Sequence, residues 1–161
     1  MDSRVSAHRD DARSPDLAAF ESRLGYVFRD RALLDTALRH ASSAYETPGT
    51  ESNERLEFLG DAVMDLAAGH LLYDAHPTWQ EGDLTRAAQQ LVDRPAFAAL
   101  ARKLELGPHL RLGATEQLSG GQDKDSILAN AMEAVVGAIY LDGGLEATVE
   151  LVRRFHADAL R

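Results

Sequence analysis

The run Asn53-Glu54-Arg55-Leu56-Glu57-Phe58-Leu59-Gly60-Asp61-Ala62-Val63 opens the longest uninterrupted helical pattern in the chain. The pattern starts at Ser52 or Asn53 and reaches about Asp74, ahead of Pro77. Leu56, Leu59, Val63, Leu66 and Leu71 approximate one apolar stripe. Phe58, Ala62, Leu72 and Tyr73 widen it beyond what a surface helix needs, so the helix is expected to be central and buried on most sides. Glu54, Glu57 and Asp61 interrupt this apolar character. At roughly 100° per residue the three acids fall within about 60° of arc. Carboxylates so close repel one another unless something positive lies between them. A charge stripe is ordinarily a solvated face, but Leu56, Phe58 and Leu59 bracket this one. Some of these acids are therefore expected at the core boundary, where a charge needs a partner.

Helices flank this element on both sides. Leu17, Phe20 and Leu24 share a face from Asp16 onward, with Gly25 as a C-terminal stop, and a second helix is predicted from Asp30 to about His40. Glu46 to Ser52, with Pro48 and Gly49, is a predicted loop. Asp83 is a candidate cap for the next helix and Asp93 for the one after, with Pro95 tolerated in its first turn. Gly107-Pro108 ends that segment, and Leu118 to Asp123 is a predicted flexible loop. Two last helices, about Lys124–Leu141 and Gly144–Arg161, are separated by Asp142-Gly143-Gly144. No stretch alternates as a strand would, and there is no internal repeat. The fold class is all-α, a helical bundle over residues 15–161 preceded by a polar tail, residues 1–14, expected to be disordered.

The chain has 161 residues, 45% hydrophobic and 27% charged, which suits one domain. The absence of cysteine excludes disulfides, thiolate metal sites and cysteine nucleophiles. No apolar run is long enough to span a bilayer and the first residues hold no signal-peptide core, so no membrane partner and a cytoplasmic location are expected. The net charge of −9 argues against nucleic acid held by electrostatics alone. It equally suits clustered carboxylates neutralised by a hard cation.

A second oxygen-bearing pair, Asn130 and Glu133, has i, i+3 spacing within the apolar frame of Ile127, Leu128, Met132, Val135, Val136 and Ile139. Such a pair alone is usually a satisfied core hydrogen bond. Two such helices in one domain favour a shared oxygen-rich site as an expectation, and carboxylates plus an amide without sulfur favour Mg2+, with Mn2+ as a substitute, over zinc. Glu81-Gly82-Asp83 is a third acidic element at a loop-to-helix junction. Capping accounts for Asp83 and leaves Glu81 unexplained. The six histidines form no ligand pair. Ser42 and Ser43 near His40 lack a glycine-framed elbow, and no Walker A loop or dinucleotide fingerprint is present, so no nucleotide cofactor is expected.

The run from Asn53 to Val63 resembles the signature of the ribonuclease III family. The likeness continues through Leu24-Gly25-Tyr26-Val27-Phe28, Leu38-Arg39-His40-Ala41-Ser42, Glu81-Gly82-Asp83-Leu84-Thr85-Arg86, and Ser126 to Ala134 with Gly137 to Asp142. The resemblance implies an all-helical endonuclease domain that dimerises around the signature helix and hydrolyses double-stranded RNA, leaving 5′-phosphates and short 3′ overhangs, in ribosomal or messenger RNA processing. By position it implies Glu57, Asp61, Asn130 and Glu133 as the metal centre, with Asp61 and Glu133 most directly catalytic. Glu54 and Glu81 match the outer acidic pair. Arg86, Lys124 and Arg55 are possible RNA contacts that also fit surface ion pairs, and Phe58 and Leu59 are the expected homodimer interface. Three positions depart from the family pattern: Asn130 stands where aspartate is usual, Ala41 where a basic residue is typical, and the chain stops at Arg161 where common bacterial members continue into a double-stranded-RNA-binding domain. Without that domain, weak and salt-sensitive RNA binding is expected. The alternatives are a non-catalytic dimerising module that binds duplex RNA or a ribonucleoprotein, and a helical phosphohydrolase. Retained acids oppose the first, and missing histidine-aspartate pairs oppose the second.

Overall fold

The computed structural model describes residues 15–161, so the expected tail lies outside the described residues. Eight helices follow in order: α1 (Pro15–Leu24), α2 (Arg31–Ala37), α3 (Ala41–Glu46), α4 (Glu54–Ala75), α5 (Glu81–Val92), α6 (Arg94–Lys103), α7 (Ala114–Leu118) and α8 (Asp125–Phe155). Short 3₁₀ turns occupy Gly107–His109, Gly121–Asp123 and Ala157–Leu160. No strand forms among the described residues, only an isolated bridge between Arg39 and Arg111. The all-α expectation holds.

The core is organised on the crossing of α4 with α8, and α6 covers α8 from another side. Two glycines set that crossing. A Cβ on Gly60 would fall far inside van der Waals contact of the Glu133 carbonyl oxygen, and one on Gly137 would meet the Leu56 carbonyl oxygen. Buried Ala67, Ala68, Ala131, Ala134 and Ala138 continue this small-residue seam, while Phe20, Phe28, Phe97, Met64 and Met132 fill the volume around it. Backbone touches backbone, which fixes the register of the two helices to within a residue.

Local chemistry explains several boundaries. Asp30 caps α2, its side chain accepting from the Ala32 N–H, and Asp93 caps α6 by accepting from the Ala96 N–H at 2.9 Å, with Pro95 in the first turn. Asn53 occupies the cap position of α4, yet its buried amide donates instead to the Ala37 carbonyl at 3.1 Å and satisfies the end of α2. Asp142 accepts from the Tyr26 hydroxyl at 2.7 Å and from the Arg29 and Asp30 N–H groups at 2.8 and 2.9 Å. Gly144, at φ 84° and ψ −176°, breaks α8 where the sequence places its two glycines.

Five expectations change. α2 ends at Ala37, not near His40, because His40 turns extended and caps the separate α3 through Nδ1, which accepts from the Ser42 N–H at 3.2 Å. Asp83 is no cap: α5 begins at Glu81 after Gln80, and Asp83 sits inside the first turn beside the N-terminal end of the dipole. The segment from Leu118 to Asp123 is not simply a loop, since α7 runs into it and a 3₁₀ turn closes it. The last helix stops at Phe155 and gives way to the turn Ala157–Leu160. Finally, α4 is buried on one side only: Phe58 is 81% exposed, Leu66 58% and Tyr73 71%.

Candidate active site

Of the acids named from the sequence, Glu54, Glu57 and Asp61 on α4 and Glu133 on α8 lie on either flank of the glycine crossing. Glu57 precedes Gly60 by one turn and Asp61 follows it directly, while Gly60 abuts the backbone of Glu133 itself. Glu57, Asn130 and Glu133 are half-buried, whereas Glu54 and Asp61 are exposed. The two helices thus bring carboxylates together from chain positions some seventy residues apart, at the edge of a buried apolar seam.

Their mutual field appears in their proton affinities. Burial, followed by the charges of Asp61 and Glu57, pushes Glu133 up to about 7, and the Arg94 guanidinium works against the rise. Burial and the charges of Glu54 and Asp61 raise Glu57 as well, again opposed by Arg94. Burial and Asp61 raise Asp65. One field therefore joins Glu54, Glu57, Asp61, Asp65 and Glu133, with Arg94 as the opposing cation. The sequence reading missed Asp65 and Arg94. Asp65 carried a signal, since it lies one turn beyond Asp61 on the same stripe. Arg94 carried none, because the start of α6 meets this field only through the tertiary fold.

Among the described residues, no three His, Asp or Glu side chains stand close enough together to enclose a metal ion. The donor set nevertheless fits a hard divalent cation: oxygen ligands only, neighbouring carboxylate charges that raise the proton affinity of Glu57 and Glu133, and Asn130 one turn before Glu133 on α8. A cation among them would remove the repulsion that now favours protons.

Other expected site residues are placed elsewhere. Glu81 opens α5, is exposed, and accepts from the Thr85 hydroxyl at 2.7 Å; no interaction among the described residues joins it to Glu54 or to the crossing. Arg86 is ion-paired with Asp83, Lys124 with Glu116 at 2.6 Å, and Arg55 with Glu51 at 3.3 Å. All three cations are thus engaged on the surface, the alternative the sequence left open for them. The His40–Ser42 pair is structural: the Ser42 hydroxyl lies 2.7 Å from His40 Nδ1 and accepts the Gly113 N–H at 2.8 Å, tying α3 to the segment before α7. Phe58 projects from α4 beside Leu59, which is partly buried, and next to them opens a cavity of about 630 Å³ lined by Leu33, Thr36, Leu56 and Leu141 among others.

A family model described as Ribonuclease-III-like matches residues 30–160. The chain is 49% identical over 144 residues to a Ribonuclease 3 of Streptomyces coelicolor, covering 89% of this chain and 52% of that protein. It is 48% identical over 143 residues to a Ribonuclease 3 of Pelotomaculum thermopropionicum, covering 88% of this chain and 59% of the relative. The chain therefore spans little more than half the length of these relatives. A structure of the nuclease domain of ribonuclease III from Campylobacter jejuni, described as flexible in a region involved in dimer formation, superposes with a TM-score of 0.81 at 38% identity, over 89% of this chain and 97% of that one.

Proposed function

The chain belongs to the ribonuclease III family, and from that premise we propose that residues 15–161 form the catalytic domain of a divalent-metal-dependent endonuclease that hydrolyses phosphodiester bonds in double-stranded RNA. The observation that carries this reading is the glycine crossing of α4 and α8, which gathers Glu57 and Asp61 on one side and Glu133 on the other into one electrostatic group. In the proposed site Glu57, Asp61, Asn130 and Glu133 would hold magnesium, with manganese able to replace it. When bound, the ion supplies Lewis acidity toward phosphate oxygens and lowers the pKa of water. The side chains do the rest. Asp61 and Glu133 would fix the reacting geometry from two helices, and the buried apolar seam beneath them strengthens every charge interaction at the edge. Arg94 limits carboxylate repulsion while the site is without a cation. Glu54 and Glu81 form the proposed outer pair. Duplex RNA would be recognised by shape and 2′-hydroxyls, since A-form grooves hide the bases.

The proposed assembly is a homodimer in which Phe58 of each copy enters the cavity beside Phe58 and Leu59 of the other, a reciprocal contact that a two-fold axis generates. It would cover the exposed Phe58 and place two sites along one duplex, so that each cuts one strand and leaves 5′-phosphates with short 3′ overhangs. The proposed setting is cytoplasmic processing of ribosomal and messenger RNA; no helix among the described residues is long and apolar enough to cross a membrane. Long duplex RNA incubated with and without magnesium, followed by end-group analysis, tests the reading. Fragments with 5′-phosphates that need the metal are expected. Duplex bound but never cut at any magnesium concentration would leave the dimerising RNA-binding module in its place.

A further inference from the structure

The single tryptophan of the chain lies away from the glycine crossing. After α4 ends, residues His76-Pro77-Thr78-Trp79 form a turn closed by the Trp79 N–H donating to the His76 carbonyl at 3.1 Å. The turn lays indole flat on imidazole, with ring centroids 3.6 Å apart and planes 4° from parallel. The imidazole is anchored in turn, its Nε2 lying 3.2 Å from the carbonyl oxygen of Ala159. Trp79 remains 39% exposed and lines an open cavity of about 480 Å³. The other lining residues, Asp83, Arg86, Ala87 and Gln90, share one face of α5 at helical spacing. Asp83 and Arg86 are ion-paired, which restrains the guanidinium, and the Gln90 amide has no hydrogen-bond partner among the described residues.

These groups make one kind of site. An aromatic ring backed by a second ring is a stiff stacking floor. The walls offer an amide that both donates and accepts, a carboxylate that accepts and a guanidinium that donates. A nucleobase uses a π face and a polar edge of this kind, and unpaired bases are commonly held by stacking on an aromatic side chain with hydrogen bonds to their edges. Beside the indole, the walls are an ion pair, an amide and the single aliphatic side chain of Ala87. Trp79 also stands two residues before Glu81, at the start of the helix that carries the proposed outer acid.

We propose that the cavity formed by Trp79, Asp83, Arg86 and Gln90 stacks one unpaired nucleobase of a single-stranded RNA segment flanking the duplex. The proposal rests on the nucleic-acid reading above and adds a second, base-directed contact to it. The pocket carries little net positive charge, so binding draws on stacking and edge contacts and is weak for a free strand.

Trp79 is its own reporter. In chelator, where the proposed cleavage cannot proceed, tetra-adenylate is expected to quench the intrinsic fluorescence saturably, and ribose 5-phosphate, which has no base, is not. The anisotropy of labelled tetra-adenylate gives the affinity. Trp79→Leu is expected to weaken it on the order of tenfold, the effect of removing one base–aromatic stack, while Trp79→Phe keeps most of it. Circular dichroism controls for folding. Should Trp79→Leu unfold, Gln90→Ala, on the exposed side of α5, carries the same test with a loss of several-fold. Unchanged affinity in the variant tested, or equal quenching by ribose 5-phosphate, overturns the proposal. Cleavage of a fully paired duplex, which offers no unpaired base, tests the endonuclease reading separately. A protein that cuts it but fails the binding test loses only the pocket.

Discussion

The two sides of α4 are both apolar and meet opposite fates. On the inner side Gly60, Val63, Met64, Ala67, Ala68 and Leu71 are buried against the core, with backbone contact at Gly60. On the outer side Phe58, Ala62, Leu66 and Tyr73 face away from it, and three of these are large. Hydropathy does not separate the two faces, but at the point where α4 meets α8 size decides which residue fits. A crossing in which two backbones touch can accept only small residues at the contact, so the large apolar groups of the signature segment are excluded from it and left for another surface. The inner face therefore sets where the acids stand, and the outer face is free to serve assembly.

Substitution on each face should separate these roles. Gly60→Ala drives a Cβ into the Glu133 carbonyl and must part the helices. A loss of about 3 kcal/mol or more is expected in urea unfolding, at the upper end of overpacking effects. Phe58→Ala removes a larger side chain from an exposed position. The unfolding of the separated protomer is expected to change by no more than about 0.5 kcal/mol, while self-association measured by sedimentation weakens by about 2 kcal/mol, the scale of an aromatic hot spot. If Gly60→Ala were silent and Phe58→Ala unfolded the chain, the assignment of the two faces would be reversed.

The inner face also predicts a pH dependence. Glu133 titrates near 7 in the folded chain because of burial and the charges of Asp61 and Glu57, against an ordinary value of 4.5. A group whose proton affinity rises on folding stabilises the fold at pH values below its unfolded pKa, and that contribution is lost as pH climbs through the folded value. In chelator the melting temperature should fall between about pH 5 and pH 8, by about 3 °C for roughly 1 kcal/mol, after discounting for the exposed part of the carboxyl. Glu133→Gln should flatten this slope, and magnesium at pH 8 should offset it. A slope identical in Glu133→Gln would place the titrating group elsewhere.

A smaller effect is expected at Asn130. Its amide oxygen offers a cation a dipole where aspartate would offer a full charge. The bare Coulomb difference, on the order of 4 kcal/mol at 4 Å and a dielectric of 20, is largely cancelled by desolvation and by repulsion from the neighbouring carboxylates. Asn130→Asp should lower the magnesium needed for half-maximal cleavage and lower the melting temperature in chelator. Identical titration curves would remove Asn130 from the ligand set.

What the sequence disclosed follows from the range of each interaction. Glu57 and Glu133 carried a sequence signal because carboxylates inside an apolar helical pattern conflict with burial, and both are half-buried, whereas Asp61 on the same stripe is exposed. Asp93 with Pro95 was legible because capping is local. α3 and α7, of six and five residues, are too short to show a helical period, and the second is held by tertiary bonds such as the Ala114 N–H to Glu46. Asp83 was misread because an acid in a first turn has the composition of a cap without its position. The outer face of α4 was read as buried because apolar residues facing solvent and facing a core look alike in one chain. Gly60 and Gly137 were visible as letters, but their role depends on which helix lies across them.

In the proposed account, carboxylates on α4 and α8 act as one cation-dependent centre. The most direct test is cleavage of long duplex RNA in magnesium by the wild type, Asp61→Asn and Glu133→Gln, with dimer and helix content checked for each. Loss of each acid is expected to lower the rate about 10²–10³-fold, the scale of removing one preorganised electrostatic contact, without loss of fold or dimer. Near-wild-type cleavage by either variant would contradict it.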